Sequence, residues 1–220
     1  MLASNQSHVQ QFAESRLTAL VTGFGRFAKV ERNPSALIAG NLDGTRIGGH
    51  EVAGRVLPVS AETTPRAVRD ALAETEPEIL LLLGVAPGRA ALAAERVAVN
   101  VLDFEEPDND GALPVDLPIE VDGPAAYLAT LPFRAIVEAW HEAGIPGYLS
   151  NTAGTYLCNA AFYAALHATA DAPLPVGFIH LPSLPAEVAG HRPPEPSMPL
   201  ETQIAGVRIA LEATVAALVA

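Results

Sequence analysis

Short apolar runs return along this chain at intervals that mostly leave room for a helix between them, and that alternation restricts its fold more than any other feature. Residues 17–21, 51–57, 79–83, 96–101, 147–150 and 176–181 have strand length and are mostly apolar. Helix signals fall between them. Asn33-Pro34 is a side-chain cap followed by a proline at the first helical position, which predicts a helix over 34–42. Thr64-Pro65 repeats that signal before 66–74, and helical spacing returns over 133–143, 155–168 and 200–219, with Gly144 placed as a C-terminal stop. The β-α-β order predicts an α/β fold, a single-domain α/β/α sandwich with a mainly parallel central sheet over 17–220. A polar leader over 1–16 precedes it.

Two stretches break the rhythm: 105–124, rich in Pro, Asp and Gly, and the proline-rich 183–199. Loops this long inside a compact domain usually serve a site, so both are candidate lids. The net charge of -12, from 13 basic and 25 acidic residues, opposes binding to a nucleic-acid backbone. The single cysteine, Cys158, leaves no intramolecular disulfide and no cysteine-based zinc cluster within one chain. Together with a polar N-terminal stretch lacking a signal-peptide core, it points to a reducing, cytoplasmic setting. The run 79–83 is too short to cross a membrane, and the alanine-rich 200–220 is interrupted by Glu201, Arg208 and Glu212.

Three side chains form a candidate nucleophilic constellation. Cys158 sits where the strand ending near Ser150 turns through Gly154 into a helix. Unpaired amides and the helix dipole there favour an anion, which predicts a lowered thiol pKa and a ready oxyanion site. A free cysteine more commonly packs as a small hydrophobe. His180 ends an apolar strand, where ligands of open parallel sheets gather, and a thiol nucleophile needs such a proton acceptor. By itself it reads equally well as a core histidine. Glu95, at the entrance to the strand over 96–101, is the candidate carboxylate to orient the imidazole. An ordinary ion pair with Arg89 or Arg96 is its plain alternative, and Asp103 is a competing acid. The loop after the first strand, Gly23-Phe-Gly-Arg-Phe-Ala28, matches a loose dinucleotide fingerprint, but the best helix cap comes too late for the amides to face a pyrophosphate, so an NAD(P)-dependent oxidoreductase is the minor alternative. Phe24 and Phe27 fit better as a flat clamp for a small ring.

The segments TGFGRF with Asn33-Pro-Ser35, LGVAPGR, ERVAVN, PDN, GPAAYLATLP, SNTAGTYLCN and GFIHLP, in this order and spacing, resemble the pyroglutamyl-peptidase type I family of cysteine peptidases. The resemblance implies removal of N-terminal pyroglutamate from peptides through a thioacyl-enzyme, with Cys158 as nucleophile, His180 as base and Glu95 as orienting acid. It also implies a substrate pocket involving Phe24, Phe27, Asn33, Tyr156 and Leu157, no metal or organic cofactor, and a homo-oligomer, dimer or tetramer. The chain departs from the family at Val85, where relatives often carry a polar residue, and at Glu105, where many have an arginine near the active site. An acid at 105 is expected to turn to solvent, with Arg26 or Arg89 as partner. A pyroglutamyl-binding protein without turnover is the rival that this departure suggests.

Overall fold

The structure, a computed structural model, describes residues 17–27, 30–172 and 174–219, so the leader over 1–16 lies outside the described residues. In chain order its elements are β1 (Thr18–Phe24), α1 (Pro34–Leu42), β2 (Arg46–Ile47), β3 (His50–Leu57), α2 (Thr64–Thr75), β4 (Ile79–Val85), β5 (Leu92–Glu95), β6 (Val97–Val99), β7 (Ala126–Leu128), α3 (Phe133–Glu142), β8 (Gly147–Ser150), α4 (Leu157–Ala168), β9 (Val176–Leu181), the single turn α5 (Pro185–Val188) and α6 (Leu200–Leu218). Seven strands make one sheet in the order β2-β3-β1-β4-β9-β5-β8. It is mainly parallel: β1 with β3 and β4, β4 with β9, and β5 with β8. The pairs β2–β3 and β5–β9 are antiparallel.

The strand expected over 96–101 is corrected. The chain joins the main sheet earlier, as β5, and the following β6 leaves it to pair with β7 in a separate two-stranded ribbon. Arg96 carries a charge at the break, and its N–H and C=O are both used across it, bonding Ser150 O and Ala129 N–H. Glu95 is therefore the last residue of a strand paired on both sides, next to the edge strand β8, rather than the entrance to one.

The two-residue alternation of the strands divides the interior into two layers. Ala19, Val21, Leu81, Leu83, Ile179 and Leu181 face α1, α3 and α6, whereas Leu20, Leu80, Leu82, Val176 and Phe178 face α2 and α4. Both faces are covered, as continuous apolar strands require. Trp140 of α3 ties its layer by donating Nε1–H to Gly206 O of α6 at 2.7 Å. At the carboxyl end of β1 the Asn33 side chain caps α1, accepting from Ser35 N–H at 3.1 Å. A Cβ on Gly23 would stand 2.2 Å from the Ser35 carbonyl, so only glycine lets α1 start this close to the strand. α1 begins at Pro34, well past the glycines of the first loop, and the geometry required for a dinucleotide pyrophosphate is absent among the described residues.

Candidate active site

Along β4 and β9, even-numbered residues face α4. Gly84 pairs in register with His180, and Ala93 of β5 pairs with His180 from the other side. The imidazole thus projects towards the helix that carries Cys158 at its second position. Gly84 makes the approach possible, because a Cβ there would lie 2.6 Å from Cys158 Sγ and 2.8 Å from the Phe178 ring. The ring of Phe178, two residues before His180 on the same face, meets the imidazole edge-on at 4.8 Å.

Glu95 is fully buried. Its Oε1 lies 2.7 Å from His180 Nδ1 and accepts Arg89 Nη1–H, also at 2.7 Å. The ion pair with Arg89 and the contact with His180 are therefore made together, and the two sequence readings of Glu95 do not exclude each other. Asp103 is exposed, and its link to this region is through its backbone, whose carbonyl accepts from the Thr155 hydroxyl at 2.7 Å and whose N–H donates to Thr155 O at 3.1 Å. Ser150 lies opposite Glu95 in the parallel β5–β8 pair. Burial alone would raise the Glu95 pKa, but the bond and charge of His180, with Ser150 and Arg89, outweigh it and hold the carboxyl below its ordinary value.

The thiol does not behave as its helix position suggests. Burial, and after it the negative charge of Glu95, push Cys158 up to about 12, with Arg89 opposing only in part. Dehydration of the anion outweighs the helix dipole. Burial likewise holds the His180 pKa below its ordinary value, against the pull of Glu95. Both shifts favour the uncharged thiol and imidazole, with the Glu95 carboxylate 2.7 Å from His180 Nδ1.

Cys158, half-buried, opens into a cavity of about 340 Å³. Phe24, Phe27, Asn33, Tyr156 and Leu157 all line it. Phe27 and Tyr156 rings are tilted at 5.1 Å, and Phe104 backs Tyr156 at 4.2 Å. Asn33 is at the cavity as expected, with its oxygen committed to Ser35 and its amide donating to Gly25 O at 3.0 Å. Val85 belongs to the same lining. The loop over 105–112 is pinned by Asp108, whose carboxylate accepts from the N–H groups of Ala61, Asp110 and Ala112 at 2.6–2.9 Å. Asn109 Nδ2 donates to Arg26 O at 2.8 Å, joining this loop to the first.

Glu105 is exposed, but the expected partners are taken: Arg26 pairs with Glu31 at 2.6 Å and Arg89 with Glu95. Its neighbour Glu106 lines the cavity instead. Ser183, Glu187, Val188, His191 and Glu195 also line it, so the candidate lid over 183–199 does border the site. Of these, only the loop as a whole is visible in the sequence; Gly84 and Ser150 carry no local signal of their role, because strand register creates it.

The sequence pattern of the family described as pyroglutamyl peptidase matches residues 17–217. The chain is 45% identical over 199 residues to pyrrolidone-carboxylate peptidase 1 of Ralstonia nicotianae, covering 90% of this chain and 92% of that protein. It is 43% identical over 201 residues to the pyrrolidone-carboxylate peptidase of Pyrococcus furiosus, covering 89% and 97%. Its structure is similar to that of the pyrrolidone carboxyl peptidase from Thermococcus litoralis, with a TM-score of 0.88 at 41% identity, covering 92% of this chain and 94% of that one.

Proposed function

The chain belongs to the pyroglutamyl peptidase family, and on that premise we propose that it hydrolyses the bond after an N-terminal pyroglutamate by a Cys158-His180-Glu95 mechanism. The observation that carries the residue assignment is the buried 2.7 Å contact between Glu95 and His180, with the Cys158 thiol reaching the same sheet position through the gap at Gly84. As Cys158 Sγ bonds to the pyroglutamyl carbonyl carbon, its proton passes to His180, and Glu95 compensates the imidazolium. The amides of Leu157, Cys158 and Asn159 precede the first bond of α4, Ala160 N–H to Tyr156 O at 3.0 Å, and are the donors available to the oxyanion. His180 then gives the proton to the departing amine as the C–N bond breaks. Water, deprotonated by the same imidazole, attacks the thioester, releasing pyroglutamate and restoring the thiol.

The neutral lactam suits a cavity walled by Phe24, Phe27, Tyr156 and Leu157. Catalysis needs a reduced Cys158, which supports a reducing, cytoplasmic setting; among the described residues no helix is long and apolar enough to cross a membrane. Exposed Leu113, Val115, Leu117, Val121 and Leu128 support a homo-oligomer. The test is release of aminomethylcoumarin from its pyroglutamyl amide by wild type and by Cys158→Ser. Turnover by wild type and none by the serine variant is expected; full activity in Cys158→Ser rejects the nucleophile.

A further inference from the structure

The cavity at Cys158 has two unlike walls. One is apolar and aromatic. The other is formed by the loop after β9, together with Glu106 from the facing loop, and it carries Glu106, Glu187 and Glu195, with no lysine or arginine among the described lining residues. Among the described lining residues His191 is the single basic group, and it is bound to Glu195 at 3.0 Å. A second, independent feature lies on this wall. Ser183 is 94% buried by its 6% exposure, lines the cavity, and its hydroxyl has no hydrogen-bond partner among the described residues. A hydroxyl on the cavity wall with no protein partner is free to bond a ligand that occupies the cavity.

The loop is fixed at both ends. Met198 N–H donates to Ser183 O at 3.0 Å, and Gln203 Nε2 of α6 bonds both Pro182 O at 3.1 Å and Met198 O at 2.8 Å. Its carboxylates are thus held over the site rather than displayed on a free tail. A pyroglutamyl ring carries no charge for them to meet, and carboxylates beside the scissile carbonyl would oppose the oxyanion. What remains for this wall is the peptide on the leaving side.

Resting on the peptidase reading above, we propose that Ser183, Glu106, Glu187 and Glu195 form the subsite for the residue following pyroglutamate, and that it selects a cationic side chain, lysine or arginine, over an acidic one. The Ser183 hydroxyl hydrogen-bonds the bound peptide, and the three carboxylates favour the ammonium or guanidinium and repel a carboxylate.

The experiment measures kcat/KM for release of pyroglutamate from three amidated peptides, pyroglutamyl-Lys-Ala, pyroglutamyl-Ala-Ala and pyroglutamyl-Glu-Ala, whose blocked ends leave the second side chain as the only charge. The expected order is Lys, Ala, Glu, with a Lys-to-Glu ratio of about tenfold or more near 0.01 M salt that shrinks towards unity near 1 M, as the screening length falls from about 30 to about 3 Å. The paired substitution Glu187→Gln with Glu195→Gln lowers the ratio at least about threefold at low salt, which separates this wall from the field of a chain with net charge -12. Ser183→Ala raises KM for the lysine peptide more than it lowers kcat. A low-salt ratio near one, or a ratio the paired variant leaves unchanged, overturns the subsite while cleavage of the alanine peptide upholds the peptidase. Failure to cleave any of the three overturns the peptidase reading and the subsite with it.

Discussion

Glu95→Gln changes one atom of a fully buried side chain and removes one charge. In the wild type, Oε1 receives Arg89 and faces His180 Nδ1, both at 2.7 Å, while Oε2 is buried and without a hydrogen-bond partner among the described residues. The amide oxygen can keep both of the Oε1 contacts, and the NH₂ group takes the Oε2 position beside Ser150, so the geometry survives. On the proposed mechanism, what is lost is the counter-charge for the imidazolium formed when Cys158 gives up its proton. Unit charges about 4 Å apart at an effective dielectric constant of about 20 attract by about 4 kcal/mol. With partial compensation by neighbouring dipoles, kcat should fall roughly 10²- to 10³-fold. KM for a small pyroglutamyl amide should move little, because Glu95 does not line the cavity. Stability should fall by roughly 1–3 kcal/mol, since Arg89, 27% exposed at its side chain, is left without its partner's charge. The assay is steady-state release of aminomethylcoumarin alongside thermal unfolding, with Asp103→Asn as comparison. A Glu95→Gln enzyme within threefold of wild type, or an inactive Asp103→Asn, refutes the reasoning.

Gly84→Ala places a methyl where 2.6 Å separates it from Cys158 Sγ, so turnover should drop at least about tenfold even if the protein folds, from displacement of the thiol; unchanged kcat/KM contradicts the close approach. For pH, burial lowers the His180 pKa and the thiol stands at about 12, so kcat/KM should hold as pH falls to 6.5 and decline only below it, and iodoacetamide labelling near neutrality should be slow, without a preformed thiolate; rapid, pH-independent labelling refutes this. Both Glu95 and His180 have folded pKa values below their ordinary ones, 4.5 and 6.5; the unfolded chain then binds more protons, and each contributes stability that is present above its ordinary pKa and lost as pH falls through the folded value, so the unfolding midpoint should decrease progressively below pH 6.5. Glu105→Ala should change kcat/KM less than about threefold, because this exposed acid does not line the cavity; a collapse of activity places it in substrate binding.

The alternation of apolar runs with capped helices determined the α/β class, because a strand buried on both faces and a crossover helix are local in sequence and repeat along it. Local chemistry also placed the Asn33 cap, the glycine turn before Cys158 and the two long loops. The strand near Glu95 was misread for a physical reason: β5 and β6 differ in partners, not in composition, and Leu92–Glu95 is as short and small-residued as a loop. Pairing decides such a segment, and pairing is not local. The same holds for the site. Motif order nominated Cys158, His180 and Glu95 as candidates, yet the 2.7 Å contact across 85 residues, the sharing of Glu95 with Arg89, and the close approach at Gly84 depend on the register of β4, β9 and β5. The sequence also suggested an acidified thiol from its helix position alone. Burial reversed that, since the cost of dehydrating an anion is set by everything packed around it, and only the tertiary structure assembles those neighbours.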